Sequence, residues 1–288
     1  MRTTKHLPIS EKKLISFIKN ALREDIGDGD HSSLASIPLS AKGKAHLLIK
    51  ENGILAGVAL AKIIFQTADK NFFFKEHISD GTAVRKGDIA FIVEGSVHSI
   101  LKTERLVLNC MQRMSGIATA THQLKIKCKG TKSTIIDTRK TSPGLRFMEK
   151  WAVVIGGGDN HRMGLYDMIM LKDNHLDYAG GIEKAIKATH LYLKKNKKKL
   201  KIEVEARDLK EVKKIISAGG IDRIMLDNFS IVDLKKAVKL INGKFETEAS
   251  GGITEKNIRS YALCGVDFIS VGALTHSVKS LDMSLKAI

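Results

Sequence analysis

Short apolar segments alternate with stretches of helical periodicity from residue 134 to residue 271. Segments of this length predict strands, and strands that alternate with helices are typical of parallel βα units. The predicted strands lie at residues 134–137, 152–155, 168–171, 202–205, 223–226, 245–249 and 268–271. This alternation indicates an α/β barrel or a doubly wound sheet, and it constrains the fold more than any other feature of the 288 residues.

Polar or glycine-rich residues stand at the end of nearly every predicted strand. They begin at Asp137, Gly156, Lys172, Glu205, Asp227, Ser250 and Gly272. Polar residues at the carboxyl ends of strands converge on one face of a barrel, where barrel enzymes have their active sites. The distribution therefore favours a barrel with an active site on that face.

The segment before these βα units has a different character. Residues 14–22 show helical spacing of apolar residues, and residues 43–100 contain short apolar runs separated by Gly, Asp and Asn. This combination predicts an α+β domain. We therefore predict an N-terminal α+β domain at residues 1–112, an α/β-barrel domain at residues 113–275 and a helical C-terminal segment at residues 276–288.

The chain carries a formal net charge of +17, from 48 basic and 31 acidic residues. Such an excess suggests an anionic partner, which includes nucleic acids, membrane surfaces and small polyanions. Six lysines lie within residues 194–201 without interleaved aromatic residues, so we expect a solvated surface there. Because no RNA-binding signature is present, we predict no nucleic-acid partner.

The cysteine pattern and the hydropathy bear on the compartment. Cys110, Cys128 and Cys264 are odd in number and show no CxxC spacing, so neither a disulfide framework nor a structural zinc site is expected. The N-terminus lacks the apolar core of a signal peptide, and no segment approaches 18 uncharged apolar residues. We expect a cytoplasmic protein without a membrane partner, and the pattern assigns no role to Cys264.

Three of the strand-end segments have competing interpretations. The glycines at residues 156–158 suggest a dinucleotide loop, but the GxGxxG spacing fails. Ser250, Gly251 and Gly252 precede a helix-start signal and suit a phosphate held on backbone N–H groups. Lys172 ends a very apolar strand, where burial would lower the pKa of its amine toward that of a Schiff-base lysine. An aldolase-like lysine enzyme is therefore a rival hypothesis.

Cationic residues cluster in the same segments. Arg139, Lys140, His161 and Arg162 follow predicted strand ends beside glycines. Guanidinium and ammonium groups in this arrangement are typical of a cage for carboxylates or phosphates. We interpret them as functional residues rather than as part of the solvated surface.

Three of these segments also resemble one enzyme family. Residues 138–146 (TRKTSPGLR), 156–167 (GGGDNHRMGLYD) and 172–175 (KDNH) are similar to segments of quinolinate phosphoribosyltransferase, the decarboxylating nicotinate-nucleotide pyrophosphorylase of NAD biosynthesis. The resemblance extends to residues 24–30, 104–109, 115–119, 226–229 and 250–253, and so to nearly the whole chain.

The resemblance implies a fold, a reaction and an assembly. The fold is an incomplete α/β barrel packed against an N-terminal α+β domain. The reaction converts quinolinate and phosphoribosyl pyrophosphate to nicotinate mononucleotide, pyrophosphate and carbon dioxide, with Mg²⁺. The assembly is a homodimer in which Arg105 of one subunit reaches into the active site of the other.

The resemblance also implies roles for individual residues. The quinolinate carboxylates would be bound by Arg139, Arg162 and Lys172, with Thr138 and His161 among the substrate contacts. Pyrophosphate would be contacted by Lys140. These residues follow the first three predicted strands of the barrel.

The later strands supply the sugar and phosphate contacts under the same resemblance. Glu205 and Asp227 would face the ribose, where carboxylates can bind Mg²⁺ or stabilise positive charge at the anomeric carbon. The 5-phosphate would be bound by two segments, with His276 close by. The first segment is Ser250, Gly251 and Gly252, and the second is Val271, Gly272 and Ala273. The residues assigned to catalysis are Lys140, Lys172, Glu205 and Asp227.

Related and unrelated alternatives stay open at this point. A sister pyrophosphorylase associated with molybdenum transport shares the fold, and nicotinate phosphoribosyltransferase is more distant; the two-carboxylate cage favours quinolinate. A Schiff-base lyase acting through Lys172 would be trapped by borohydride. A basic RNA-binding protein would bind nucleic acid with a steep salt dependence.

Overall fold

The computed structural model describes residues 9–288, so the first eight residues of the predicted N-terminal domain lie outside the described residues. These residues form two compact units. The first contains the described residues up to His122 together with Ser142–Gly157 and Ser277–Ile288, and the second contains Gln123–Thr141 and Gly158–His276. The domain boundaries at residues 112 and 275 stay predictions.

The helices and strands follow one another in a different order in the two parts of the chain. Its first part consists of α1 (Glu11–Ile26), α2 (His31–Ser36), β1 (Lys42–Ile49), β2 (Gly53–Ile54), α3 (Val58–Ala68), β3 (Phe73–Glu76), β4 (Ala83–Val84), β5 (Ile89–Ser96) and α4 (Val97–Lys127). The remainder consists of β6 (Thr134–Ile136), α5 (Arg146–Ile155), β7 (Ile169–Leu171), α6 (Asp173–Tyr178), α7 (Ile182–Lys195), β8 (Ile202–Ala206), α8 (Leu209–Ala218), β9 (Arg223–Asp227), α9 (Ile231–Ile241), β10 (Glu246–Ser250), α10 (Ile258–Ala262), β11 (Phe268–Ser270), α11 (Ala273–His276) and β12 (Met283–Ala287). Among the described helices, none combines the length and the apolar character that crossing a bilayer requires.

The first unit is built on an antiparallel sheet with the strand order β12-β1-β5-β3. Along β1 the buried residues are Ala45, Leu47 and Ile49, and this period of two turns one face of the strand into the core. The Phe65 ring of α3 packs on the Phe91 ring of β5 with their centroids 6.1 Å apart. These helices on a sheet confirm the predicted α+β architecture of the N-terminal part.

The C-terminal residues join this sheet as a strand. β12 pairs antiparallel with β1, and Leu285 lies opposite Leu47. Met283 and Leu285 are buried while Ser284 between them is half-buried, which is the alternation of a strand with one face in the core. The prediction of a helical segment at residues 276–288 is therefore wrong for the residues of β12.

A predicted strand at residues 152–155 is the end of helix α5. The buried face of this helix does not stand out in the sequence, because it includes two fully buried charged residues, Glu149 and Lys150, beside Phe147 and Trp151. Glu149 is satisfied by Arg113, whose Nη2 lies 2.9 Å from Oε1. The prediction of a strand at residues 152–155 is wrong, because a short apolar run alone does not distinguish a buried helix from a strand. The glycines at residues 156–158 thus follow a helix, which removes the strand that a dinucleotide loop requires.

The second unit contains a six-stranded parallel sheet with the order β6-β11-β10-β9-β8-β7. The connections from β7 to β11 contain the helices α6 to α10, so each strand runs in the same direction as its neighbour. Among the described residues β6 and β7 do not pair with each other, and the barrel stays incomplete. The predicted incomplete α/β barrel is confirmed.

The lysine-rich run at residues 194–201 lies at the end of α7 and before β8. Lys194 and Lys195 occupy the last turn of α7, where positive charge is favourable against the helix dipole. Every lysine of the run is exposed, as expected for a solvated surface.

Candidate active site

The carboxyl ends of β8, β9 and β10 bring polar side chains to one edge of the parallel sheet. Asp227 at the end of β9 is the register partner of Ser250 on β10, and Glu205 on β8 is the partner of Met225. Register partners and residues two apart on one strand share a face, so Glu205, Asp227 and Ser250 lie on the same face at this edge. The sequence-based convergence of these three residues is confirmed.

Lys172, directly after β7, is paired with Glu205 on the adjacent strand. The Lys172 Nζ lies 3.3 Å from Oε2 of Glu205, and the two side chains are 48% and 8% exposed. Burial raises the pKa of Glu205, Lys172 opposes that rise, and the charge of Asp227 adds to it. The burial of Lys172 on which the Schiff-base hypothesis rests is therefore wrong. Its ammonium group is half-exposed and held by a carboxylate.

Arg162 and Arg139 act on each other electrostatically. Burial lowers the pKa of Arg162, and the charge of Arg139 lowers it further. The Nη1 of Arg162 donates to the carbonyl oxygen of Met168 at 3.2 Å, which fixes the direction of its guanidinium group, while Arg139 is exposed. The charge of Arg162, disfavoured by burial and by the nearby Arg139, is one that a bound dianion would stabilise.

The segments after β6 and β11 lie together. Thr138 Oγ1 accepts the N–H of Lys140 at 3.0 Å, and the carbonyl oxygen of Lys140 accepts the hydroxyl of Thr275 at 2.7 Å. A Cβ on Gly272 would lie 3.1 Å from Cδ of Lys140 and 3.3 Å from Nε2 of His276. The exposed Lys140 side chain is therefore next to the predicted phosphate segment.

Val271 and Ala273 flank Gly272 in different environments. Val271 is buried, and its N–H donates to the carbonyl oxygen of Ile136 at 3.0 Å. Ala273 is exposed and begins the single turn of α11. The Val271 amide is thus engaged in the sheet, and its assignment to phosphate binding stays a prediction.

The loop after β10, which is predicted to bind phosphate, has two consecutive glycines with positive φ angles. Gly251 and Gly252 have φ angles of +91° and +59°, which glycine adopts without strain. A Cβ on Gly251 would collide with Oδ1 of Asn228, and the Asn228 N–H donates to the carbonyl oxygen of Ser250 at 2.9 Å. Asn257 Nδ2 donates to the carbonyl oxygen of Gly252 at 3.0 Å. These contacts hold the loop in a conformation with little side-chain cover.

His161 lies beneath this edge in a buried ionic cluster. Its Nε2 lies 2.9 Å from Oε2 of Glu203 and 3.4 Å from Oε2 of Glu248, and all three side chains are at most 4% exposed. Burial favours the neutral ring and lowers the pKa of His161, whereas the two carboxylates favour a proton on the nitrogen that faces them and raise it. Burial and the neighbouring Glu248 raise the pKa of Glu203. The predicted contact between His161 and substrate stays a prediction.

Sequence reasoning places Glu203 among the strand-end polar residues without a role, and it missed Glu248 and Arg223 as members of the site region. Arg223 Nη1 lies 3.0 Å from Oε2 of Glu248, and its guanidinium carbon lies 3.8 Å from the centre of the Phe268 ring. The available signal was the presence of charged residues within strands that are otherwise apolar. A buried charge in a strand needs a buried partner, so these residues predict one another.

Arg105 lies on α4 in the first unit, and its side chain is exposed. Its contribution to the active site of a partner subunit stays a prediction.

Comparisons with known proteins cover both parts of the chain. The family model described as quinolinate phosphoribosyl transferase, N-terminal domain, matches residues 30–115, and that of the C-terminal domain matches residues 117–286.

Individual relatives match over nearly the full chain. Quinolinate phosphoribosyltransferase [decarboxylating] 1b of Nicotiana tabacum is 48% identical over 93% of this chain and 81% of its own length. Probable nicotinate-nucleotide pyrophosphorylase [carboxylating] of Bacillus subtilis is 41% identical over 95% of this chain and 93% of its own length. The crystal structure of NadC from Streptococcus pyogenes superposes with a TM-score of 0.91 at 37% identity, covering 97% of this chain and 99% of that one. The chain therefore belongs to the quinolinate phosphoribosyltransferase family.

Proposed function

We propose that this chain transfers the phosphoribosyl group of phosphoribosyl pyrophosphate to the ring nitrogen of quinolinate and releases carbon dioxide. The observation that carries the proposal is the pair of like-charged guanidinium groups, Arg139 and Arg162, at the edge of a parallel sheet that also carries Lys172. Quinolinate is a dicarboxylate, and its two negative charges match such a site. The names of the relatives agree with this substrate.

The phosphoribosyl donor is assigned to the neighbouring strand ends. The 5-phosphate would be bound by Ser250, Gly251 and Gly252 together with Gly272 and Ala273. Glycine has no side chain, so phosphate oxygens can approach its backbone amides closely. Lys140, exposed beside Gly272, would bind the pyrophosphate group. This assignment uses the two glycine-rich segments that follow β10 and β11.

Glu205 and Asp227 would act on the ribose. In the proposed displacement the ring nitrogen bonds to the anomeric carbon as the bond to pyrophosphate breaks, and positive charge develops on the sugar. Two carboxylates at adjacent strand ends stabilise that charge. Lys172 binds a quinolinate carboxylate from the other side of Glu205 and keeps that substrate oriented.

Carbon dioxide leaves after the transfer. The quaternised ring nitrogen stabilises the electron pair that stays on the adjacent carbon when its bond to the carboxylate carbon breaks, and a proton then adds to that carbon. The proposed sequence therefore requires no separate catalytic base.

We include Mg²⁺ in the proposal. The carboxylate oxygens of Glu205 and Asp227 fit a hard cation, and a cation would offset both the burial and the charge of Asp227 that raise the pKa of Glu205. When bound there, Mg²⁺ would neutralise charge on the pyrophosphate leaving group. The two side chains themselves would hold the ribose hydroxyls in place.

We also propose that the chain works as a homodimer to which Arg105 contributes across the interface. Arg105 is exposed and lies within the family-like segment at residues 104–109, which supports a role outside its own unit's core. A third guanidinium group adds to the binding of a dicarboxylate.

The purified protein is incubated with quinolinate, phosphoribosyl pyrophosphate and Mg²⁺, and the products are separated by chromatography. Nicotinate mononucleotide and pyrophosphate are expected. Nicotinate replaces quinolinate in a parallel reaction. Product from nicotinate and none from quinolinate overturns the proposal.

A further inference from the structure

A buried ionic cluster lies one layer below the proposed substrate site on the same strands. Glu203 precedes Glu205 by two residues on β8, and Glu248 precedes Ser250 by two residues on β10. Residues two apart on a strand share a face. The cluster therefore lies on the same face as the residues assigned to the phosphoribosyl donor, one step closer to the amino ends of the strands. Glu203 and Glu248 are 0% exposed, so neither is accessible to substrate.

The cluster contains matched charges. Glu203 and Arg223 are register partners on β8 and β9, and Arg223 Nη1 lies 3.0 Å from Oε2 of Glu248. The same Oε2 lies 3.4 Å from Nε2 of His161, which is 2.9 Å from Glu203. Buried carboxylates are stable only when such partners offset the loss of hydration. The two carboxylates therefore hold the imidazole edge that faces them.

The opposite edge of the imidazole ring holds the backbone of Arg162. The Arg162 N–H donates to Nδ1 of His161 at 2.6 Å. The backbone N–H of His161 in turn donates to Oδ1 of the buried Asp137 at 2.9 Å. The position of the ring therefore sets the course of the chain into Arg162, whose guanidinium group is assigned to quinolinate.

A histidine and two glutamates with their ligand atoms close together also resemble a metal site. The hydrogen bond at Nδ1 argues against this role, because it requires a lone pair there. A second proton on Nδ1 would face the Arg162 N–H at 2.6 Å. This contact outweighs the two carboxylates, which raise the pKa of His161, so we assign the neutral ring with its proton on Nε2. A ring nitrogen that carries a proton has no lone pair for a metal. The Nε2 atom instead lies 2.9 Å and 3.4 Å from the carboxylate oxygens of Glu203 and Glu248.

We propose that Glu203 and Glu248 are positioning residues for quinolinate binding, acting through His161 on the backbone and guanidinium group of Arg162. The proposal rests on the proposed function, because it assigns Arg162 to a quinolinate carboxylate. Glu203 has a second effect, since its negative charge stabilises the positive charge of Arg162. Loss of either carboxylate releases the ring, and a displaced guanidinium group binds the carboxylate less well.

The test compares Glu203→Gln and Glu248→Gln with the wild-type chain. Each variant is expected to raise the KM for quinolinate by about 10- to 100-fold and to change the KM for phosphoribosyl pyrophosphate by less than about twofold. The matched control is Glu246→Gln, because Glu246 also pairs with Arg223 but is 37% exposed and two residues farther from the site on β10. The control is expected to leave both KM values within about twofold of wild type.

The kinetic outcomes separate this proposal from the proposed function. Turnover of quinolinate by the wild-type chain is measured first, and its absence overturns the proposed function together with the positioning role. Normal wild-type turnover with an unchanged quinolinate KM in both variants overturns the positioning role alone. An equal rise in both KM values also overturns it, because general loosening of the fold moves both.

A second measurement reads the state of His161 in the wild-type protein and uses a variant only to assign the signals. The wild-type protein is labelled with ¹⁵N-histidine, and the His161 signals are assigned by their loss in His161→Asn. We expect a protonated Nε2 and an unprotonated Nδ1 at neutral pH. An unprotonated Nε2, or a proton on Nδ1, breaks the proposed link to Arg162 and overturns the positioning role.

Discussion

The ammonium group of Lys172 lies 3.3 Å from the Glu205 carboxylate, across the ends of the adjacent strands β7 and β8. This ion pair joins the cations assigned to quinolinate to the acids assigned to the ribose. A nucleophilic lysine needs a neutral amine, whereas this half-exposed lysine has a carboxylate as its partner. The pair therefore supports a binding role for Lys172.

Replacement of Lys172 by Gln is expected to lower kcat/KM for quinolinate by about 10- to 100-fold, because a charge-assisted hydrogen bond to the substrate is lost. Steady-state kinetics at saturating phosphoribosyl pyrophosphate measures the effect. Lys201→Gln is the control, since Lys201 pairs with the exposed part of Glu246 at 3.5 Å. A stable mass increase of the wild-type chain after borohydride treatment with a carbonyl substrate would instead revive the Schiff-base lyase.

Removal of the guanidinium groups, in Arg139→Ala and Arg162→Ala, is expected to weaken quinolinate binding by about 10- to 100-fold each. The KM for phosphoribosyl pyrophosphate is expected to stay near wild type, since its phosphates are assigned to Lys140 and to the glycine segments after β10 and β11. Arg85→Ala, at an exposed turn of the first unit, serves as the control. Weakened binding of both substrates to the same degree argues against a dedicated dicarboxylate cage.

The ribose acids are tested by Glu205→Gln and Asp227→Asn, which keep the shape of the side chains and remove their charge. We expect kcat to fall by about 100-fold, because charge stabilisation at the anomeric carbon is lost, with a smaller change in the quinolinate KM. The Mg²⁺ concentration that gives half-maximal rate is expected to rise in both variants. Full turnover in both would remove the assigned role of these carboxylates.

The proposed contribution of Arg105 to a partner's active site predicts complementation between inactive variants. Arg105→Ala and Lys172→Ala are each expected to be nearly inactive as homodimers. After co-refolding or subunit exchange, mixed dimers contain one site with neither substitution, so activity is expected to return to about a quarter of the wild-type value. No recovery despite proven mixed dimers would mean that Arg105 serves its own subunit or no site at all.

A stability prediction concerns Asp267 in the second unit. Its carboxylate accepts hydrogen bonds from Lys132 Nζ at 2.7 Å and from the N–H and hydroxyl of Thr247 at 2.9 and 2.7 Å. Burial works in the opposite direction, but these bonds prevail and lower the pKa of Asp267. A depressed folded-state pKa contributes stability above the unfolded pKa of about 4, and this contribution is lost as the pH falls through the folded value.

Asp267→Asn is therefore expected to lower the free energy of unfolding by about 1 to 3 kcal/mol at pH 7. Urea denaturation of both proteins at neutral and acidic pH measures the difference, which is expected to shrink in acid as the wild-type carboxylate becomes protonated. Lys236→Gln, which removes an exposed ion pair with Asp233, provides the control. A difference that is independent of pH would show that the charge of Asp267 is not its source.

The sequence predicted the strand-end residues of the site better than the buried residues beneath them. Strand-end residues such as Asp227 and Ser250 could be recognised because strands leave a clear pattern and their carboxyl ends share one edge. Glu203 and Glu248 were missed as partners of His161, because pairing between residues 161, 203 and 248 depends on strand order and register. Those are tertiary facts that one sequence does not display.

Two errors of secondary structure have related causes. α5 was predicted as a strand at its end because the buried pair Glu149 and Lys150 interrupts its apolar face. β12 was predicted as helical although Met283 and Leu285 alternate with polar residues, because the pattern covers only five residues. In both places the deciding contacts, with Arg113 and with β1, come from distant parts of the chain.

The central claim is that one chain couples phosphoribosyl transfer to decarboxylation of quinolinate. Quinolinate labelled with ¹³C in the carboxyl group adjacent to the ring nitrogen is incubated with the protein, Mg²⁺ and phosphoribosyl pyrophosphate, and labelled carbon dioxide and pyrophosphate are measured together. We expect the two products to appear in equal amounts and the nucleotide formed to carry no label. Pyrophosphate without labelled carbon dioxide, or no pyrophosphate at all, would contradict it.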